Sequence, residues 1–145
     1  MEAAIEQYAP MESRNDTPDV SLALPFNLQA TCLHMQVRSG SKAKSLVQFV
    51  QRKMCSTDLH VEQMTWNAFG DGIAKAIACA EMTKRRLGIQ FYEFVQIGYK
   101  RVEQVWEPVN AKVELDTLKV NKDIPAICIL LSKIPLTPKS NQGEH

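Results

Sequence analysis

One stretch constrains the fold of this chain more than any other: Ile73–Leu87, IAKAIACAEMTKRRL, held between two glycine breakers. Ala74, Ala76, Ala78 and Ala80 give it high helix propensity and a side slim enough to lie close on a sheet. Gly88 stops it, and Lys84, Arg85 and Arg86 occupy its last turn, where cations suit the helix dipole. Gly70, Asp71 and Gly72 precede it, with Asp71 expected to cap its start.

The flanking sequence supplies strands for such a helix to cover. Residues 32–38 alternate Leu33, Met35 and Val37 against His34, Gln36 and Arg38, the period of a half-buried strand. Ser39, Gly40, Ser41 and Lys42 then turn the chain, and Ser41 is expected to cap a second helix whose apolar positions are Leu46, Val47, Val50 and Met54. Residues 61–69 alternate again, with Met64, Trp66 and Ala68 on one side, and Trp66 reads as core rather than as a base-stacking platform. Residues 90–101 form an aromatic-rich third strand and residues 124–133 an apolar fourth. Between them, 103–123 reads as a long hairpin arm or loop. The order β-α-β-α-β-β predicts an α+β fold, a small four-stranded mixed sheet with two helices packed on one face.

At 145 residues the chain is long enough for one core. Residues 1–30, with Pro10, Pro18, Pro25 and scattered acids, are expected to form a disordered acidic tail. Residues 31–134 are expected to fold, and 135–145 to form a flexible C-terminal tail. The longest apolar run, 126–131, is far short of the ~20 residues of a membrane helix. Glu2 and Glu6 sit where a secretory leader would be basic, so a soluble intracellular protein is expected.

Charge is unevenly spread. The formal net charge is +1, yet residues 1–31 hold five acids and one base, while 32–101 hold eleven bases and five acids. Between Cys32 and Thr57 there are five bases (Arg38, Lys42, Lys44, Arg52, Lys53) and no acid, a surface that attracts polyanions. Chemistry of other kinds is missing. The four cysteines contain no CxxC pair, and the cysteines and histidines do not repeat at zinc-site spacing. There is no phosphate loop, no dinucleotide GxGxxG and no GxSxG elbow. No catalytic residue, metal site, cofactor, small-molecule ligand or membrane contact is expected.

Four blocks in order, LHMQVRSGSKAKSL, NAFGDGIAKAIACAEMTKRRL, IGYKRVEQVW and DIPAICILLSK, resemble the Alba domain family. More closely they resemble the larger Alba-type subunits of eukaryotic nuclear ribonuclease P and RNase MRP, with residues 79–87 and 99–106 the most discriminating. The resemblance implies a non-catalytic nucleic-acid-binding domain over 31–134, in a particle whose catalysis is by RNA. It implies a heterodimer with the smaller Alba-type subunit on the P3 domain of the RNA, among other ribonuclease P/MRP proteins, serving precursor tRNA 5′ processing and rRNA processing. It also implies a nuclear, nucleolar location. The competing reading is a general Alba-type homodimer binding DNA or messenger RNA, in chromatin or translation.

The resemblance assigns RNA contacts to Arg38, Ser39, Gly40, Ser41, Lys42 and Lys44, then to Gly70 and Lys75. A third group comprises Lys84, Arg85, Arg86, Tyr99, Lys100 and Arg101. Asp71 departs from the pattern, since many Alba proteins carry Arg there; a carboxylate beside phosphate is unfavourable and weakens that block. Phe91, Phe94 and Trp106 are candidates for a partner interface.

Overall fold

Five registered pairs, Leu33↔Met64 through Val37↔Ala68, join β3 (Leu33–Val37) to β4 (Gln63–Phe69) in parallel. Parallel neighbours cannot be joined by a tight turn, so the chain returns through a helix, α1 (Ala43–Cys55). These elements come from a computed structural model that describes residues 8–10, 23–108 and 118–140, with side chains for 23–105 and 118–140. After β4, a short 3-10 turn (Gly70–Gly72) leads into α2, which spans Ile73–Leu87 as the sequence predicts. Gly88 ends α2 in the left-handed region at φ 65°, its N–H donating to Lys84 O.

Two long strands follow, β5 (Tyr92–Pro108) and β6 (Leu118–Ser132). Short strands β1 (Tyr8–Pro10), β2 (Phe26–Asn27) and β7 (Thr137–Pro138) lie in the segments expected to be tails, and Leu24 is buried. The rest of those segments, residues 1–7, 11–22 and 141–145, lies outside the described residues.

The chain divides into two compact units. The larger comprises Val20–Gly98 and Pro125–His145. In it β6 pairs antiparallel with β4, from Gln63↔Ser132 to Phe69↔Ala126, so the strand order is β5-β6-β4-β3. The smaller unit, Met1–Asp19 and Tyr99–Ile124, contains the far halves of β5 and β6, with Tyr8–Pro10 paired antiparallel to Trp106–Pro108. Val102 and Val105 are buried there, and Arg101 Nε donates to Asp123 Oδ1 at 3.0 Å. The stretch read as a hairpin arm or loop is strand on both sides of residues 109–117, with Val102 and Val105 buried.

Both faces of the larger unit's sheet are covered, with different chemistry. On the helix side Val47, Val50 and Met54 of α1 and Ala76, Cys79 and Ala80 of α2 pack on Met64, Trp66, Ala68, Ile127, Ile129 and Leu131. On the back, Cys128 and Leu130 meet Leu24, Phe26, Leu28, Phe94 and Leu136. Phe26 and Phe94 stand edge to face with centroids 4.9 Å apart. β4 is buried along both sides, and its back row is polar: Gln63, Thr65 and Asn67. Thr65 and Asn67 are held by mutual and cross-strand hydrogen bonds, including Asn67 Nδ2 to Thr65 Oγ1 at 2.8 Å and to Met35 O at 3.2 Å.

Trp66 anchors the helix side at 0% exposure. Trp66→Ala is expected to destabilise the protein by about 3–5 kcal/mol, read as a lower urea midpoint. Trp66→Phe should cost much less, because the indole N–H has no acceptor among the described residues and its removal breaks no hydrogen bond.

Candidate nucleic-acid interface

Because β3 and β4 run the same way, both leave the sheet at one end, where α1 and the turn into α2 begin. The two junctions touch. A Cβ on Gly72 would lie 2.7 Å from Val37 O and 3.2 Å from Arg38 Cα, so only glycine allows the approach. Gly70 takes φ 60°, the left-handed conformation that swings the chain out of β4.

The first junction is a closed turn. Arg38 N–H donates to Ser41 Oγ at 2.9 Å, and Ser41 N–H donates to Arg38 O at 3.0 Å. Lys75, in the first turn of α2, reaches across and donates to Ser39 O at 2.6 Å and Ser41 O at 2.7 Å. An ammonium has three N–H donors, and two are spent here on carbonyls. Lys75 therefore acts first as a strut that fixes residues 39–41.

Both capping expectations are corrected. The N-cap of α1 is Lys42, with no side-chain cap; the Ser41 hydroxyl is used inside the turn instead. The N-cap of α2 is Gly72, also without a side-chain cap, and Asp71 is an exposed member of the 3-10 turn. Neither α1 nor α2 has an acid in its first turn. Helix starts of this kind leave N–H groups and partial positive charge facing outward, an arrangement suited to phosphate. Arg38, Lys42 and Lys44 are exposed around them. Gly40 is exposed too, and a Cβ there would meet nothing within 4 Å.

The first two predicted groups thus come together; the third is divided between the far end of α2 and the smaller unit. Lys84, Arg85 and Arg86 lie in the last turn of α2, ten residues beyond Lys75 in the case of Arg85, which is about 15 Å along the axis. Lys84 is committed to carboxylates, 2.7 Å from Glu81 and 3.1 Å from Glu93, and those bonds push its pKa up, the Glu81 hydrogen bond most. Arg85 and Arg86 are exposed. Tyr99, Lys100 and Arg101 belong to the smaller unit, where Tyr99 is exposed, Lys100 is buried and Arg101 is paired with Asp123.

Two of the three interface candidates lie on opposite faces of the sheet. Phe91 packs against the helix-side core and Phe94 against the back cluster. Trp106 lies in β5, outside the described side chains. Exposed apolar side chains occur instead at Ile77 of α2 and at Val95 and Ile97 of β5, the last 71% exposed. Sequence reasoning passed over Gly72, whose role depends on Val37 across the sheet; the GDG spacing was its only local signal. Among the described residues no group of three His, Cys, Asp or Glu is placed to hold a metal ion.

Residues 33–100 match the family model described as Alba. A bovine ribonuclease P protein subunit p25-like protein is 32% identical over 132 residues, covering 88% of this chain and 78% of the relative. This chain belongs to the Alba family. A human ribonuclease P protein subunit p25-like protein is 29% identical over 131 residues, with the same two coverages. A solved structure, Alba from Thermoplasma volcanium, aligns at a TM-score of 0.46 and 15% identity, covering 70% of this chain and 98% of the archaeal one. Within the Alba family, then, this chain is similar to ribonuclease P subunits, in keeping with the sequence resemblance.

The strut makes a separable prediction. Lys75→Met should destabilise the protein by about 1–3 kcal/mol through two lost charge-assisted bonds, and Lys75→Arg by less. Hydrogen exchange should show residues 39–41 loosening first; uniform loosening of the whole chain would mean that Lys75 only supports the core.

Proposed function

We propose that this protein is a non-catalytic RNA-binding subunit of nuclear ribonuclease P and RNase MRP. On this reading it grips the P3 domain of the RNA as a heterodimer with the smaller Alba-type subunit, and supports precursor tRNA 5′ processing and rRNA processing. The observation that carries the reading is the joined pair of strand-to-helix junctions. Two uncapped helix starts and a turn locked by Lys75 are surrounded by Arg38, Lys42 and Lys44. A-form RNA offers a protein phosphates and a shallow minor groove more than readable base edges. A rigid set of N–H donors flanked by flexible cations suits that surface, and recognition is by shape and charge.

The names of the relatives support the ribonuclease P part of the reading, and the exposed apolar side chains Ile77, Val95 and Ile97 support a protein partner. β5 alternates Glu93, Val95 and Ile97, and Lys84 of α2 bonds Glu93. A partner subunit that covers such side chains removes apolar surface that a lone chain would leave in water. Catalysis in the particle is assigned to the RNA, and the protein to the nucleus and nucleolus.

Lys42→Ala combined with Lys44→Ala is the test. Both side chains are exposed, so the melting temperature should stay put. The affinity for a P3-type RNA should fall, and the slope of log K against log salt should become shallower by about 2. Unchanged affinity would overturn the assigned site. Capture of the tagged protein from its own cells should bring down the ribonuclease P and MRP RNAs with a smaller Alba-type chain. Broad recovery of messenger RNA or chromatin DNA, with no second Alba chain, would instead support the general homodimer.

A further inference from the structure

The side of α1 turned away from the sheet carries chemistry that the junction site uses only at its first residue. The buried side of this helix is Val47, Val50 and Met54. Its exposed positions are Lys44, Ser45, Gln48, Arg52 and Cys55. Lys44, Gln48 and Arg52 stand four residues apart, so they share one side of the helix and follow one another at steps of about 6 Å. The row begins beside the first junction and runs about 12 Å, to the last turn of α1.

These cations are not spent within the protein. α1 contains no acid, and the next acid along the chain, Asp58, lies in the turn beyond the helix end. No ion pair among the described residues involves Lys44 or Arg52. The neighbouring base, Lys53, is half-buried, with its Nζ 5.3 Å from the centroid of the Phe49 ring. A cation in the last turn suits the helix dipole, and Lys53 supplies one there while Lys133 Nζ donates to Met54 O. Arg52 is surplus to that role and stands in solvent.

The residue types choose the occupant. Lys, Arg, Ser and Gln are side chains that contact phosphate and sugar, fixing a nucleic-acid backbone without reading its sequence. The row offers no aromatic or large apolar anchor of the kind on which a protein partner depends. α2 supplies the contrast. Its exposed middle is Ala74, Ile77, Ala78 and Glu81, apolar and acidic, and unsuited to a chain of phosphates.

We propose that the outer side of α1 is a second stretch of the RNA contact, along which the phosphates of one strand run from Lys44, past Ser45 and Gln48, to Arg52. The inference rests on the RNA-binding reading above and deepens it: a point of attachment becomes a track, with Gln48 and Arg52 as further binding residues. The steps of the row are comparable with the distance between neighbouring phosphates on one strand. An A-form duplex can therefore meet it through its backbone, with no readout of bases.

Titration of the full chain with a P3-type RNA duplex over a range of salt provides the test. Arg52→Gln should weaken binding roughly fivefold and make the slope of log K against log salt shallower by about 1. Gln48→Glu puts an acid in the middle of the track and should weaken binding by a similar factor. Gln48→Lys should tighten binding and steepen the slope by about 1. Glu, Lys and Gln are all good helix formers and both positions are exposed, so melting temperatures should stay near that of the unaltered protein. Lys139 is the control for overall charge. It is exposed and lines a cavity of about 250 Å³ on the back of the sheet, together with Leu24, His34 and Thr65. Lys139→Gln should leave affinity and slope unchanged.

Affinity and slope unchanged in Arg52→Gln and in both Gln48 variants, with Lys42→Ala and Lys44→Ala still weakening the duplex, would overturn the track and leave the junction site standing. Absence of any loss in the double lysine variant as well would mean that the RNA-binding reading itself has failed. An equal loss in Lys139→Gln would also overturn the track, since the effect would then be one of net charge. So would unchanged RNA affinity in Arg52→Gln together with loss of a protein chain from the captured particle, which would assign this side of α1 to a protein partner.

Discussion

The parallel pairing of β3 and β4 is the constraint on which the remaining architecture hangs. Once Val37 and Ala68 stand side by side at the same end of neighbouring strands, the connection between them has to cross over the sheet. α1 is that crossing, and its apolar stripe of Val47, Val50 and Met54 decides which face it covers. α2 starts from the end at which β4 stops, and lands beside α1 because its alanines allow close packing. The meeting of the two junctions at one end of the sheet is thus a by-product of strand direction. Antiparallel pairing of the same two strands would send the helix starts to opposite ends and divide the cations between them.

The unequal treatment of lysines follows from the same geometry. Lys75 and Lys84 lie on one helix and look alike in a list of bases. Lys75 falls where the two junctions meet and is drawn to the Ser39 and Ser41 carbonyls. Lys84 falls nine residues later, beside Glu81 and Glu93, and is neutralised there. Lys42 and Lys44, at the start of α1, are exposed and have no side-chain partner among the described residues. Formal charge gave no hint of this division of labour, because it depends on which carboxylates and carbonyls the fold brings near.

The helices and strands were legible where local signals agreed. Ile73–Leu87 was bounded correctly because propensity, glycine stops and the small-residue face all pointed the same way. The two caps were missed for one reason: Ser41 and Asp71 are good capping residues in isolation. Ser41, however, found a nearer partner in the Arg38 N–H, and the 3-10 turn moved the start of α2 past Asp71. β5 and β6 proved longer than their apolar cores because strand pairing carries polar residues along with it. The turn that joins Arg38 to Ser41 could be read from RSGSK. The ion pairs at Lys84 and Arg101 and the burial of Lys100 could not, since they are properties of folded neighbours. The cavity on the back face drew no signal at all. Its residues come from five separated stretches of sequence, and the alternation that marks His34 and Thr65 as outward-facing polar positions reads simply as a wetted surface.

The contact of Gly72 with the Val37 carbonyl has a thermodynamic meaning beyond its sterics. It welds the two junctions into one body whose conformational entropy is surrendered when the protein folds, not when a ligand arrives. On the proposed function, affinity at this end is therefore drawn from the folding free energy. The two quantities rise and fall together for any change near Val37, while for a change at the exposed lysines they are independent. A substitution that relaxes this seam therefore registers in melting as well as in titration, whereas one at an exposed lysine registers in titration alone.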